Sequence, residues 1–248
     1  MRNIIYVIIL FVCCTLNAQT VSKKCKTCGK TIALCQYRGK HPSIPSSQSN
    51  NTISNNSQKR LVPSKAIDLG LTSGTKWAEW NIGSSSPEDC GYYYAWGETN
   101  VKTKYTKFNH KHPKGGSDKD GIINLNKQND IATIMWGCGW SIPSSDQIYE
   151  LTRECSWKKS SRNGHKGYIV TGRNGNSIFI PCAGYYEGTK RIGLGGYGLY
   201  WSSQGGEECC SSDDSGWAYV MDIQGDYAGS SASGYCWLGA PIRPIKTK

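Results

Sequence analysis

Three cysteines and one histidine near the start of the chain have the residue types and the spacing of a zinc site. They follow the pattern Cys-x2-Cys-x6-Cys-x5-His, as Cys25, Cys28, Cys35 and His41. Three thiolates and an imidazole form the tetrahedral set that zinc prefers, and the glycine after Cys28 permits a tight turn between the first two sulfurs. Residues 19–41 are therefore predicted to be a zinc-knuckle-like segment that folds only around its metal. The alternative is disulfide chemistry, because an exported chain meets an oxidising compartment.

A second set of possible metal ligands lies in a Gly/Ser-rich stretch of the C-terminal half. Its four carboxylates are Glu207, Glu208, Asp213 and Asp214. Carboxylate oxygens are ligands for calcium, so a calcium site is one interpretation of this loop. The other interpretation is that the carboxylates are simply solvated. Two further histidines, His110 and His112, stand in a segment without periodicity and are interpreted as a solvated loop pair.

The remaining reactive residues do not predict a catalytic centre. Cys209 and Cys210 are adjacent in sequence, and adjacent cysteines rarely bridge each other without strain. Neither these two nor Cys236 has a basic neighbour that would lower a thiol pKa. The seven cysteines from Cys90 onward are an odd number, and their pairing cannot be deduced from sequence.

The first eighteen residues predict export. A basic start is followed by a short apolar run and by Ala18, which is the arrangement of a cleaved secretory signal. The apolar run, Ile4 to Cys14, is too short to cross a bilayer, so no transmembrane helix is expected in the mature chain. A lipoprotein signal that uses Cys13 or Cys14 is the alternative.

The formal net charge of +11 is concentrated in the segment that follows the signal. Residues 19–65 hold nine Lys and Arg and no acid, whereas residues 66–248 hold 19 bases and 18 acids. The larger part is therefore nearly neutral, and no nucleic-acid partner is expected; an anionic surface polymer or lipid headgroup suits the basic tail better. Residues 42–65 are rich in Ser, Asn and Pro and are predicted to be a flexible linker.

Residues 66–248 have the patterns of one α+β domain. Short alternating stretches between residues 66 and 98 predict half-buried strands. Two short helices are expected, one over 130–136 with Gly137 as its C-cap, and one that begins with the capping box Ser144 to Gln147. Residues 167–181 predict a hairpin whose Asn174-Gly175 pair forms a type I′ turn. Arg243, between apolar residues and prolines, is interpreted as an anchor for a buried carboxylate or for carbonyl groups.

The ordered motifs of this part resemble the FISUMP domain, a major paralogous domain family first named from Fibrobacter. The resemblance covers about residues 66–245. The matching motifs are 67–71, 76–78, 91–99, 136–137, 140–143, 174–181, 183–185, 200–203 and 242–244. It implies an exported bacterial domain, common on the surfaces of gut Bacteroidetes, with a C-type-lectin-like α+β fold of mixed or antiparallel short strands and two short helices.

In such a fold the C-terminal strands and loops form the ligand face. The triplets that resemble the calcium-dependent sugar sites of C-type lectins, Glu-Pro-Asn and Trp-Asn-Asp, do not occur in the chain. The candidate ligand-binding residues are therefore the aromatic residues of this region, Tyr227, Tyr235 and Trp237, with Trp201 at the floor or in plain hydrophobic packing. Aromatic faces stack on sugar rings and anchor protein interfaces.

The expected function is that of a non-catalytic binding module at a cell surface, in the periplasm or in the secretome, with a glycan or a surface protein as its ligand. One alternative is a diversified receptor, because residues 226–239 have the Tyr, Ser and Gly content of a paratope. The other alternative is an enzyme of the formylglycine-generating type, which resembles this fold class but requires a reactive cysteine pair.

Overall fold

The computed structural model describes residues 64–111, 122–137, 139–206 and 216–247, and for residues 231–233 it describes the backbone alone. The predicted signal (1–18), the zinc-knuckle-like segment (19–41) and nearly all of the predicted linker (42–65) lie outside these residues. Within the described ranges, no helix has the length and apolar character needed to span a membrane.

Two short α-helices, one 3-10 turn (Lys107–Asn109) and twelve short strands make up the described regular structure, which confirms the α+β class. The helices are α1 (Ile131–Trp136) and α2 (Ser145–Glu154). The strands are β1 (Ala66–Asp68), β2 (Lys76–Ala78), β3 (Ile122–Asn124), β4 (Ser156–Arg162), β5 (His165–Thr171), β6 (Ser177–Pro181), β7 (Tyr185–Glu187), β8 (Lys190–Ile192), β9 (Tyr197–Gly206), β10 (Trp217–Gln224), β11 (Tyr227–Tyr235) and β12 (Ile245–Lys246). All pairs between these strands are antiparallel.

The central sheet has the strand order β11-β10-β9-β3, and its strand β10 buries side chains on both faces. Successive side chains of a strand point to opposite faces, so Val220 and Met221 of β10 point in opposite directions. Both are buried, Val220 in a cluster with Leu199 and Trp201, and Met221 in a cluster with Tyr200. The sheet therefore divides two apolar cores. The period-two pattern of residues 217–223 predicts only one core face, formed by Tyr219, Met221 and Ile223, and so does not account for the burial of Val220.

Both predicted helices are present with the predicted caps. The Ser144 hydroxyl accepts a hydrogen bond from the Gln147 backbone N–H, and the Gln147 side chain accepts one from the Ser144 N–H, which completes the capping box of α2. Ile148 and Leu151 of α2 are buried in the core that also contains Met221. Helix α1 begins at the N-cap Asp130 and is followed by Gly137. The spacing of Ile131, Ile134 and Met135 predicts one apolar face for α1, but only Ile131 of the three is buried and Met135 is exposed.

The predicted hairpin is present as β5 and β6, but its turn differs from the prediction. Gly175 has a positive φ of 84°, whereas Asn174 is not among the residues with positive φ, so the turn is not type I′. The Asn174 side-chain amide instead donates a hydrogen bond to the Asp68 carbonyl. Two consecutive positive φ angles occur at Asn163 (48°) and Gly164 (81°), in the two-residue turn that joins β4 to β5. The additional strand β4 was missed because its sequence is polar and its side chains are mostly exposed.

Arg243 fixes the C-terminal segment to two other parts of the fold, which confirms its predicted role as an anchor. Its guanidinium is fully buried and donates to the Asn81 side chain (2.7 Å) and to the carbonyls of Ala78 (3.1 Å), Glu79 (2.6 Å) and Phe179 (2.9 Å). Burial lowers the pKa of Arg243 to about 10. These bonds join the chain just before β12 to β6 and to the segment that follows β2, with which β12 pairs.

The stretch 91–98, predicted to be a strand, has an isolated bridge instead, between Tyr94 and Ala240. It is nevertheless part of the core, because Tyr93, Tyr94, Ala95 and Trp96 are all buried. Their polar atoms are satisfied by distant backbone groups rather than by a neighbouring strand. One example is the Tyr93 hydroxyl, which donates to the Ala183 carbonyl at 2.7 Å.

Candidate functional site

Tyr235 and Trp237, two of the predicted ligand-binding residues, lie side by side at the end of the edge strand β11. Their rings are nearly parallel, with 12° between the planes and 5.7 Å between the centroids. Tyr235 is 53% exposed and Trp237 is half-buried. Parallel offset rings with solvent-facing surface present an apolar face with little side-chain flexibility, which is the arrangement on which another planar or ring-shaped group stacks.

Two more aromatic residues extend this surface on the neighbouring strand. Trp217 of β10 is the register partner of Tyr235, and side chains of directly opposite residues in an antiparallel pair lie on the same face. The Trp217 and Tyr219 rings meet edge to face, with 5.2 Å between their centroids. Both side chains are half-buried. We call Trp217, Tyr219, Tyr235 and Trp237 the aromatic patch.

A β-bulge aligns the two halves of the aromatic patch. From the hairpin turn, the register runs without a gap from Gln224 opposite Tyr227 to Tyr219 opposite Ala232, and then shifts by one residue. Ser233 is the extra residue, so Ala218 lies opposite Gly234 and Trp217 opposite Tyr235. Without the shift, Tyr235 would point to the other face of the sheet. The repeated pattern of two aromatic residues separated by one, at 217–219 and again at 235–237, is the signal that could have identified Trp217 and Tyr219 from sequence.

Backbone hydrogen bonds on both sides hold the turn that carries Trp237. The Cys236 N–H donates to the Gly216 carbonyl (3.0 Å), and the Cys236 carbonyl accepts from the Trp96 N–H (2.8 Å). The Leu238 N–H closes the turn by donating to the Tyr235 carbonyl at 2.9 Å. Cys236 is also disulfide-bonded. Because these bonds fix the backbone on both sides of Trp237, ordering this part of the site on ligand binding costs little conformational entropy.

Trp201, the third predicted residue, lies inside the fold beneath this region. It is 1% exposed, and its indole N–H donates to the Tyr94 carbonyl at 2.7 Å. A Cβ at Gly234 would lie only 2.6 Å from the Trp201 ring, so this strand position needs a glycine to accommodate the indole. Neighbouring residues of a strand point to opposite faces, so Trp201 supports β11 from the face opposite to Tyr235. It is a core residue and presents no face to solvent.

Tyr227 is exposed, as predicted, but it lies at the other end of β11. Eight residues separate it from Tyr235 along the strand, which corresponds to roughly 26 Å. Its neighbours are the hairpin turn and the β4–β5 hairpin, because Asp226 forms an ion pair with Lys159 (2.9 Å) and the Gly225 carbonyl accepts a hydrogen bond from Tyr168. The structure therefore brings Tyr235 and Trp237 together and leaves Tyr227 apart from them.

All eight residues of the zinc and calcium predictions lie outside the described residues. These are Cys25, Cys28, Cys35 and His41 of the zinc prediction and Glu207, Glu208, Asp213 and Asp214 of the calcium prediction. Within the described ranges, no group of three or more His, Cys, Asp and Glu side chains is arranged to hold a metal ion.

His110, predicted to be in a solvated loop, is buried. Its Nε2 lies 3.0 Å from the Trp96 carbonyl, so the imidazole connects the loop to the core. The prediction failed because one contact made by a loop residue carries no periodic signal. His112 lies outside the described residues.

The cysteines among the described residues differ in oxidation state. Cys90, Cys155 and Cys182 are free and buried, and Cys236 is disulfide-bonded. Burial raises the pKa of the Cys155 thiol to about 11 and also raises the pKa of the Cys90 and Cys182 thiols. Such thiols are mostly protonated at neutral pH and are poor nucleophiles unless a neighbour favours the thiolate.

Comparison with known proteins gives no relative, since the chain matches no family model, no curated protein and no solved structure.

Proposed function

We propose that residues 66–248 form the non-catalytic binding domain of an exported bacterial protein and that the domain binds a glycan at the aromatic patch. The observation that supports this proposal is the pair Tyr235 and Trp237, nearly parallel and solvent-facing on a turn that the backbone holds in place. Sugar rings carry apolar C–H faces that stack on aromatic rings, whereas their hydroxyl groups remain hydrated at an open surface.

The proposed class of domain and its proposed cellular location are inferred from the sequence. The resemblance to the FISUMP domain implies a C-type-lectin-like fold whose C-terminal loops bind ligand, and the aromatic patch lies in that part of the chain. The predicted signal at 1–18 supports export to the periplasm, the cell surface or the medium. A diversified receptor that binds a protein ligand would use the same rings, so it differs from the first proposal in its ligand rather than in its site.

A glycan array tests the site with matched variants. Tyr235→Ala and Trp237→Ala should each lower the affinity for the recognised glycan by about 10-fold, because each removes one stacking face. Tyr149→Ala is the control, since Tyr149 is an equally exposed tyrosine (56%) on α2, outside the aromatic patch. Equal binding by all three variants and the wild type would contradict the proposed site.

The array also distinguishes the alternatives. If no glycan binds, a pull-down from bacterial surface material with the same variants tests a protein ligand, which the diversified receptor would require. Turnover of a bound compound would contradict the proposal that the domain is not an enzyme.

We also propose that Cys25, Cys28, Cys35 and His41 hold one zinc ion in a module separate from the aromatic patch. Three thiolates and one imidazole complete a tetrahedral set, so a reduced peptide of residues 19–45 should bind one equivalent tightly. Binding no tighter than about micromolar would favour the disulfide alternative instead.

A further inference from the structure

A cavity on the side of the β4–β5–β6 sheet contains two of the free thiols. Its volume is about 360 Å³, at the lower end of the range for sites that bind small molecules. It is lined by Cys90, Gly164, His165, Lys166, Pro181, Cys182, Leu194 and Gly195. His165, Lys166 and Leu194 are exposed, so the cavity opens to solvent.

The two thiols come from segments far apart in sequence that backbone hydrogen bonds hold in place. The Cys90 carbonyl accepts from the Asn81 side-chain amide at 2.9 Å. The Cys182 N–H donates to the Lys166 carbonyl (2.9 Å), and the Cys182 carbonyl accepts from the Gly195 N–H (2.8 Å). The side chains also interact, because a charge on Cys90 raises the pKa of the Cys182 thiol. Both thiols therefore lie at the wall of one cavity, on segments whose backbone groups are hydrogen-bonded to the rest of the fold.

Positive charges beside the two thiols lower the thiol pKa values and so oppose the effect of burial, which raises them. Burial raises the pKa of Cys90, whereas the Arg191 guanidinium and a hydrogen bond with Tyr93 act in the opposite direction. Arg191 is held near this wall by its contact with the Tyr93 ring (5.2 Å) and by a hydrogen bond to the Ala183 carbonyl (3.3 Å). Lys166 has the same effect on Cys182. A thiolate that forms in the cavity thus finds a cation nearby, which is what a thiol needs in order to react.

We propose that Cys90 and Cys182 form a redox-active dithiol site that reacts with a low-molecular-weight disulfide of the glutathione type. Cys90 loses its proton to solvent, and its thiolate attacks one sulfur of the small disulfide, whose S–S bond breaks and releases one small thiol. Cys182 then loses its proton and attacks the Cys90 sulfur of the mixed disulfide, which releases the second small thiol. The two protein thiols are oxidised to one disulfide, and the small disulfide is reduced to two thiols.

The site does not depend on the proposed glycan-binding function, because none of the aromatic patch lines the cavity. Oxidation of the two thiols creates a covalent link between two segments separated by about ninety residues of chain. A link that closes a loop of this length restricts the unfolded chain strongly, so the oxidised protein should be more stable, with a thermal midpoint about 10 °C higher than that of the reduced protein.

Peptide mapping of the full-length protein tests the proposal. The protein is fully reduced, exposed to oxidised glutathione, blocked with a thiol reagent and digested without reduction. We expect a peptide in which Cys90 is joined to Cys182. If Cys90 and Cys182 instead remain unmodified, or if each carries its own glutathione, the proposal is wrong.

Variants identify the order of the two steps. In Cys182→Ser the second attack is impossible, so Cys90 should retain glutathione. Cys155→Ser removes a buried free thiol that does not line the cavity and should leave the cross-link unchanged. Loss of the cross-link in Cys155→Ser would contradict the assignment to this cavity. The wild-type map decides the central question even if a serine variant folds poorly.

Discussion

Aromatic residues perform two different tasks in this fold, and the difference lies in their polar atoms. In the interior, Tyr93, Tyr105 and Tyr200 donate their hydroxyl groups, and Trp96 and Trp201 their indole N–H groups, to backbone carbonyls at 2.6–2.9 Å. In the aromatic patch, the rings contact one another and Tyr235 is more than half exposed.

The carbonyls in the interior set belong to residues distant in the chain. Tyr200, for example, bonds the Pro181 carbonyl at the end of β6, and Trp96 bonds the Ser202 carbonyl in β9. These bonds join parts of the fold that are separated in the chain, including the irregular stretch from Tyr93 to Tyr105. Interior aromatics are therefore part of the framework, whereas the aromatic patch is surface that the framework positions.

Alkaline pH should produce the largest difference between the two sets. Burial raises the pKa of Tyr93, Tyr94 and Tyr200, and it raises that of Tyr105 to about 12. These phenols ionise near their ordinary pKa of about 10 in the unfolded chain, so above that pH the unfolded state binds fewer protons than the folded state. The stability they contribute is complete below about pH 10 and is lost as pH rises through the folded pKa values. Each phenol should lower the free energy of unfolding by up to about 1.4 kcal/mol per pH unit.

Urea denaturation at a series of pH values from about 9 to 11 measures this slope. Tyr200→Phe removes one of the buried phenols. The free energy of unfolding of this variant should therefore fall less steeply with pH, by the contribution of one phenol. A free energy of unfolding that stays constant across this range would show that the interior hydroxyl groups do not ionise on unfolding.

Two tryptophans of the same sheet region give a matched mutational comparison. Trp201→Ala should destabilise the domain by about 3–5 kcal/mol, because it empties the space beside Gly234 and removes one of the two hydrogen bonds that the Tyr94 carbonyl accepts, the other coming from the Ala240 N–H. Trp237→Ala should cost less than about 1 kcal/mol, since a half-buried ring on a turn leaves no internal cavity. Chemical denaturation compares the two. Equal losses would mean that Trp237 belongs to the framework.

Local signals predicted much of the framework. The capping box at Ser144 and Gln147 and the C-cap at Gly137 are determined by bonds within four residues, so they can be identified in the sequence alone. Arg243 was predicted to be an anchor because a charged residue between apolar residues must be satisfied internally. Its actual partners, three carbonyls and an amide from two segments, depend on tertiary structure and carry no sequence signal.

The composition of the aromatic patch was predictable only in part. Tyr235 and Trp237 were identified because aromatic residues in a polar C-terminal region are conspicuous. Trp217 and Tyr219 were missed because their position opposite Tyr235 depends on the bulge at Ser233, and a sequence pattern with a strict period of two cannot represent an extra residue. Trp201 and Trp237 were both candidates from the sequence. The structure distinguishes them, because the Trp201 indole is buried and Trp237 is only half-buried.

Removal of a single hydroxyl group tests the same distinction at smaller scale. Tyr200→Phe should cost about 0.5–1.5 kcal/mol, because the Pro181 carbonyl loses the phenol donor at 2.6 Å and keeps only the Ala183 N–H at 2.9 Å. Tyr235→Phe keeps the exposed ring and should change stability by less than about 0.5 kcal/mol. Thermal and chemical denaturation of the pair measure both values, and a larger loss in Tyr235→Phe than in Tyr200→Phe would reverse the assignment.

The smallest effect is expected at Tyr227, which is as exposed as Tyr235 but lies at the opposite end of β11. Its ring folds back over Gly229, where a Cβ would meet the Tyr227 hydroxyl, and it has no aromatic partner among the ring pairs of the described residues. Tyr227→Ala should therefore change stability by less than about 0.5 kcal/mol and leave glycan affinity within about twofold of wild type. The glycan array used for Tyr235→Ala measures the affinity. A loss equal to that of Tyr235→Ala would extend the binding surface along the whole edge strand, because a ligand contacting both residues must span roughly 26 Å.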